Sequence, residues 1–201
     1  MKLMILPVIL FSYLIGSIPT GYWLGLAWKG IDVRQHGSGN LGATNIFRVL
    51  GKAPGTITLV FDILKGALPV LWTLHHFPGN TAAALATGLA AITGHTASVF
   101  IGFKGGKGVA TSAGVFLALL PGPCAAALIV FFLCLSVTRI VSISSILASI
   151  TLPAASFILA EPKPLSYTAT VVACLLVWKH RTNMRRLISG TENRVGKRGS
   201  P

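Results

Sequence analysis

Residues 4–28, MILPVILFSYLIGSIPTGYWLGLAW, are followed at once by residues 29–48, KGIDVRQHGSGNLGATNIFR, and this junction decides the fold class. The first run carries no charge and is long enough to cross hydrocarbon, which takes about 20 apolar residues. The second is polar, basic and glycine-rich. More positive charge follows the run (Lys29, Arg34) than precedes it (Lys2), so it reads as a retained span, not a cleaved leader.

The same alternation continues along the chain. Six further apolar segments cover 54–76, 80–101, 106–120, 122–138, 141–160 and 165–179. With 53% apolar residues, 10% charged and a mean hydropathy of +0.75, there is too little polar surface for a soluble globule of 201 residues. The segments at 106–120 and 122–138 are short for a span, and Pro121-Gly122-Pro123 marks a break between them.

Charge orients the segments. Fourteen of the seventeen Lys and Arg residues fall in alternate gaps: four within 29–53, Lys104 and Lys107, Arg139, and seven from Lys179 onward. Basic gaps face the cytoplasm, which predicts an outside N-terminus and a cytoplasmic C-terminus. An odd number of crossings is required, and seven fits. Trp23, Trp28, Trp72 and Trp178 fall near span ends, as an interfacial aromatic belt requires. The expected architecture is an all-α integral membrane protein, a seven-helix transmembrane bundle. Residues 1–194 form its single domain, and 195–201 form a flexible tail. Cys124, Cys134 and Cys174 lie inside apolar segments without metal spacing and read as core residues.

The chemistry is concentrated in three basic clusters. In the first, Gly37-Ser38-Gly39-Asn40-Leu41-Gly42 matches G-x-G-x-x-G. A dinucleotide fingerprint must open a strand–helix unit, whereas this run lies between membrane helices. What remains is a turn whose N–H groups can converge on an anion. Ser38, Asn40, Thr44 and Asn45 add neutral donors and Arg48 a fork suited to phosphate.

The second cluster is Gly94-His95 and then Gly102-Phe-Lys104-Gly105-Gly106-Lys107-Gly108. It lacks the spacing and the Ser or Thr of a nucleotide-binding P-loop. A lysine between glycines at the mouth of a span still suits an anion, with Lys107 preferred over Lys104, which can snorkel to the interface. The third cluster is His180-Arg-Thr-Asn183-Met-Arg-Arg186, with His180 and Asn183 three apart and on one helical side. Ser145, after Arg139, is a further candidate. Within the second span, Asp62 and Lys65 are also three apart. Each would cost about 2.5–3.5 kcal/mol if exposed to lipid at mid-bilayer, so mutual pairing toward the bundle interior is expected.

Four acids supply no paired carboxylates, and no histidine is followed by an aspartate five residues on. An apparatus of donors and cations stabilises phosphate and a developing oxyanion but offers little to activate a poor electrophile. A membrane anion or phosphate transporter, with Lys65, Arg48 and Lys107 along a pathway, is the alternative from another class.

The ordered set Gly16-Ser-Ile-Pro19, Asp32-Val-Arg34, GSGNLGATN at 37–45, Arg48, Asp62-Ile-Leu-Lys65-Gly66, Gly94-His95, FKGGKGVAT at 103–111, HRTNMRRL at 180–187 and Gly190-Thr-Glu192 resembles the bacterial acyl-phosphate:glycerol-3-phosphate acyltransferase family. The family's usual Ile after the tail Asn is Met184 here. The resemblance implies transfer of a fatty acyl group from acyl phosphate to the 1-hydroxyl of glycerol 3-phosphate, giving lysophosphatidic acid and inorganic phosphate. It further implies no acyl-enzyme, metal or cofactor, and an active site facing the cytoplasm from the bacterial inner membrane; a monomer without a nucleic-acid partner is expected. By this resemblance Ser38, Arg48 and Lys107 hold phosphate at the reacting centre, while Ser145, His180 and Asn183 position the acceptor. Gly37, Gly39, Gly105, Gly106 and Gly108 would let backbone approach phosphate, with Asn40, Thr44, Asn45 and Lys104 as auxiliary donors.

Overall fold

The computed structural model describes residues 2–196, and these contain ten α-helices and no strand. They are α1 (Lys2–Ser17), α2 (Thr20–Lys29), α3 (Ala43–Val49), α4 (Lys52–His76), α5 (Thr81–Thr96), α6 (Val109–Leu119), α7 (Pro121–Thr138), α8 (Val141–Ile158), α9 (Lys163–Lys179) and α10 (Arg181–Ile188). All seven apolar segments are helical, but the first is not continuous. It breaks at Ile18-Pro19, because proline disfavours helical backbone in the residue before it. Pro7 sits near the start of α1 and does no such damage.

Five helical stretches are long and apolar enough to cross a membrane: 5–29, 52–76, 81–101, 121–138 and 141–158. The segment expected to begin at Gly106 becomes helical only at Val109, since Gly108 has φ +93°, outside the helical region. At 1.5 Å per residue, α6 rises only ~16 Å, about half of the hydrocarbon core. Large apolar side chains face outward on the long helices, among them Leu6, Phe11, Phe61, Phe132, Leu133 and Val137. Such surface is stable against lipid, not water. The four tryptophans are also exposed near helix ends.

The chain divides into two compact units, residues up to Leu119 and residues from Leu120. In the first, glycines bring helices to backbone contact. A Cβ on Gly16 would strike the Ala91 backbone, and one on Gly94 the backbones of Tyr13 and Ser17, so α1 and α5 cross closely. The Tyr13 hydroxyl closes that crossing by donating to the Ala97 carbonyl (2.8 Å). Gly66 against Thr111 and Gly114 against Ile63 do the same for α4 and α6. Association through small residues is how helices pack where no hydrophobic force separates helix from lipid. A small apolar cluster of Val33, Leu41, Ile46, Leu50 and Ile101 anchors the polar segment after α2.

In the second unit α8 packs against both α7 and α9, and α10 follows α9 after a single residue, His180. Of the three cysteines only Cys124 is buried; Cys134 is half-buried and Cys174 exposed, so the expectation of three core residues holds for one. Val195 donates its N–H to the Arg139 carbonyl (2.7 Å), which ties the chain down beyond the tail boundary expected at 194. The rest of the expected tail, 197–201, lies outside the described residues.

Candidate active site

The first glycine-rich turn is held by a single side chain. Asn45 is fully buried, and its Oδ1 accepts the Ser38 N–H (2.8 Å) while its Nδ2 donates to the carbonyls of Val33 (3.2 Å) and His36 (3.1 Å). Both amide protons are thereby engaged. The expectation that Asn45 adds a donor for an anion is replaced by a positional role: it shapes the turn that carries Ser38. Gly37 and Gly39 have φ +62° and +70°, the left-handed region where a side chain is strained. A Cβ on Gly37 would also collide with Asn45 Oδ1. Upstream, Asp32 caps a short 3-10 turn (Val33–Gln35) by accepting the Arg34 N–H (2.9 Å), and it receives the Arg34 guanidinium at 2.7–3.1 Å. These bonds hold the Asp32 carboxyl below its usual range. Ser38, Asn40 and Thr44 are half-buried on the turn and the start of α3, and Arg48 is exposed one turn further along α3.

The second turn follows α5 through a 3-10 turn at Val99–Ile101. Gly102 and Phe103 both adopt left-handed backbone, and the Phe103 N–H reaches the Ser98 carbonyl (2.7 Å). The chain then returns against α5, where the Gly106 N–H donates to the His95 carbonyl (3.0 Å). A Cβ on Gly105 would strike that carbonyl, and one on Gly106 the His95 ring. Glycine is required here by volume. Lys104 is exposed and Lys107 half-buried.

Beneath this turn lies the buried charge pair. Lys65 Nζ meets Asp62 Oδ1 at 2.7 Å, as the three-residue spacing predicts, and also donates to the Ile18 carbonyl at the helix break (2.9 Å). His95 Nδ1 faces the same carboxylate oxygen at 3.6 Å, a neighbour the sequence did not signal.

The third cluster is organised by Glu192, whose role sequence reasoning missed. Its Oε1 accepts from Asn183 Nδ2 (2.7 Å) and Ser142 Oγ (3.0 Å), and its Oε2 from Arg186 Nε (2.7 Å). Burial pushes this carboxyl up, but the bonds from Arg186, Asn183 and Ser142 outweigh it and hold the group below its usual range. The available signal was the scarcity of acids in a tail full of donors. His180 is buried at the junction of α9 and α10, and its Nδ1 lies 2.7 Å from the Leu176 carbonyl. A carbonyl only accepts, so Nδ1 carries a proton. Ser145 is buried and donates to the Val141 carbonyl (2.8 Å).

The chain matches the family profile described as Glycerol-3-phosphate acyltransferase over residues 6–190. It is 44% identical over 191 residues to a protein of Desulforamulus reducens named Glycerol-3-phosphate acyltransferase, with 95% of each chain covered. A protein of the same name from Trichlorobacter lovleyi is 48% identical over 185 residues, covering 91% of this chain and 93% of that one. Among solved structures, PlsY (YgiH), an integral membrane glycerol 3-phosphate acyltransferase, superposes with a TM-score of 0.91 in its glycerol 3-phosphate form and 0.88 in its lysophosphatidic acid form. Each comparison is at 39% identity and covers 96% of both chains.

Proposed function

The chain belongs to the glycerol-3-phosphate acyltransferase family, and from that premise we propose the donor, the division of labour and the membrane orientation of the reaction it performs. The protein is a membrane enzyme that acylates glycerol 3-phosphate to lysophosphatidic acid, the two ligands named for the solved relatives. The acyl donor is acyl phosphate. The acceptor's 1-hydroxyl attacks the acyl carbonyl carbon, the carbon–oxygen bond to phosphate breaks, and inorganic phosphate departs.

One observation carries this reading. The first unit presents two glycine turns seated by buried contacts, one leading to Arg48 and the other carrying Lys107. Preorganised donors of this kind stabilise a developing oxyanion and a departing phosphate. An acyl phosphate has a good leaving group, so no acyl-enzyme is needed. Ser38, Arg48 and Lys107 hold phosphate at the reacting centre, while Gly37, Gly39, Gly105, Gly106 and Gly108 allow close backbone approach. Asn40, Thr44 and Lys104 are auxiliary donors. Ser145, His180 and Asn183 position the acceptor, and the departing phosphate takes the hydroxyl proton. The transporter reading needs Lys65 along a pathway, whereas Lys65 is engaged with Asp62 and Ile18.

In this reading the chain is a single-domain monomer that crosses the bacterial inner membrane seven times, and the charge bias supports its orientation, with the N-terminus outside and the active face toward the cytoplasm.

The test is turnover of purified protein in lipid with acyl phosphate and glycerol 3-phosphate, and acyl-CoA as control. Product from acyl-CoA alone would remove the proposed donor. The His180→Ala variant separates positioning from base catalysis: saturating acceptor should recover much of its rate, whereas a defect persisting at saturation makes His180 the base.

A further inference from the structure

The buried charges of the first unit are not explained by pairing alone. An ion pair can satisfy itself at far lower cost at a membrane surface than inside a helix. Asp62 and Lys65 are instead held where four elements converge. Lys65 reaches the carbonyl of Ile18, at the proline break between α1 and α2. Asp62 faces His95 on α5. His95 in turn abuts Gly106, both through its carbonyl, which accepts the Gly106 N–H, and through its ring, which leaves no room for a Cβ there. Gly106 precedes Lys107 directly.

His95 Nδ1 is buried and has no hydrogen-bond partner within ordinary length, its nearest charged neighbour being the Asp62 carboxylate. A buried imidazole in that position is costly unless the carboxylate orients it. The four groups also line one small cavity, together with Ser17, Thr20 and Ser98.

We propose that Asp62, Lys65 and His95 form a buried positioning unit that sets the path of the second glycine turn through Gly106, and so the direction in which Lys107 meets phosphate. The carboxylate turns the imidazole, the imidazole edge and carbonyl seat Gly106, and Lys65 anchors the carboxylate to the helix break. None of the three touches substrate in this scheme. The inference rests on the assignment of the Lys107 turn to phosphate.

The experiment is a double-mutant cycle on the full-length protein in lipid, reading kcat and KM for both substrates on the folded fraction isolated by gel filtration. The Cβ of Gly106→Ala meets the His95 ring first, so the two sites are coupled if the ring sets the turn. Gly106→Ala and His95→Ala should each raise KM or lower kcat tenfold or more. The double variant, in which the new methyl occupies the space of the lost ring, should be no worse than the poorer single variant. Effects that multiply as independent losses would overturn the proposal.

Asp62→Asn alone leaves Lys65 uncompensated and can fail to fold. The second arm is therefore Asp62→Asn with Lys65→Gln, which removes both charges at nearly constant volume. A positioning role predicts at least a fivefold change in KM or kcat in the folded protein. A purely structural role lowers yield and melting temperature but leaves both constants unchanged, and that result refutes the inference. Lys107→Ala is the control: if it keeps wild-type kinetics, the phosphate assignment of the turn fails, whatever the cycle shows.

Discussion

Asn45 and Glu192 each gather three hydrogen-bond partners, yet they do it with opposite chemistry. Asn45 serves a turn, where the chain presents both N–H and C=O groups, and an amide answers with one acceptor and two donors. Glu192 serves a cluster of side chains that all donate, Ser142, Asn183 and Arg186, and a carboxylate only accepts. The first unit therefore fixes its site through backbone, which demands glycine and tolerates no added volume. The second fixes its site through side chains, at the price of a group that titrates.

This contrast is worth something only if the groups so positioned carry the rate. The largest expected effects are accordingly at the positioned residues. Arg48→Ala and Lys107→Ala should each lose at least about a hundredfold in turnover, or about 2.7 kcal/mol of transition-state stabilisation, the scale for removing one key oxyanion donor. Lys104→Ala, an exposed residue on the same turn as Lys107, should lose much less. Equal losses at 104 and 107 would break the assignment of Lys107 as the cation of the turn.

Next come the hubs. Asn45→Ala removes three bonds, buried or part-buried, at roughly 1 kcal/mol each and should destabilise the protein by about 3 kcal/mol. Asn45→Asp should be worse, because it turns two donors into an acceptor facing carbonyls at a fully buried site. Glu192→Gln is milder. It keeps an acceptor for Asn183 and Ser142 and gives up the charge opposite Arg186, a third exposed, so about 1 kcal/mol is expected. Thermal unfolding in detergent measures all three. A Glu192→Gln loss as large as that of Asn45→Asp would mean the second hub depends on charge rather than on acceptor geometry.

Much of this arrangement was legible in the chain. Apolar length marked seven helical segments, spacing alone paired Asp62 with Lys65, and the glycine runs marked turns. What escaped notice depends on contacts distant in sequence. His95 lies 33 residues after Asp62, and Ser142 lies 50 before Glu192. No local period connects them. Asn45 was misread for a subtler reason: composition shows that an amide is present, not which way its donors point, and only the fold reveals that they face the turn's own carbonyls. The break at Ile18-Pro19 was visible as a proline but overridden by the continuous apolar run around it.

The smallest effect is the one that separates the hubs most cleanly, because pH acts on one of them alone. Asn45 does not titrate. Glu192 has a folded pKa below its ordinary value of 4.5, so it binds protons more weakly in the folded protein than in the unfolded chain. Its contribution is therefore fully present above about pH 4.5 and fades as pH falls through the lower, folded value. Wild type should lose melting temperature over that acid window, while Glu192→Gln, already neutral, loses less. The two curves should approach each other at the acid end, where protonated glutamic acid resembles glutamine. Asp32 is also held low by Arg34 and titrates nearby, but it is common to both proteins and cancels in the difference. A constant gap between the curves from pH 7 down to pH 3 would show that the carboxylate's charge contributes nothing to the second hub. The contrast with Asn45 would then be one of geometry alone.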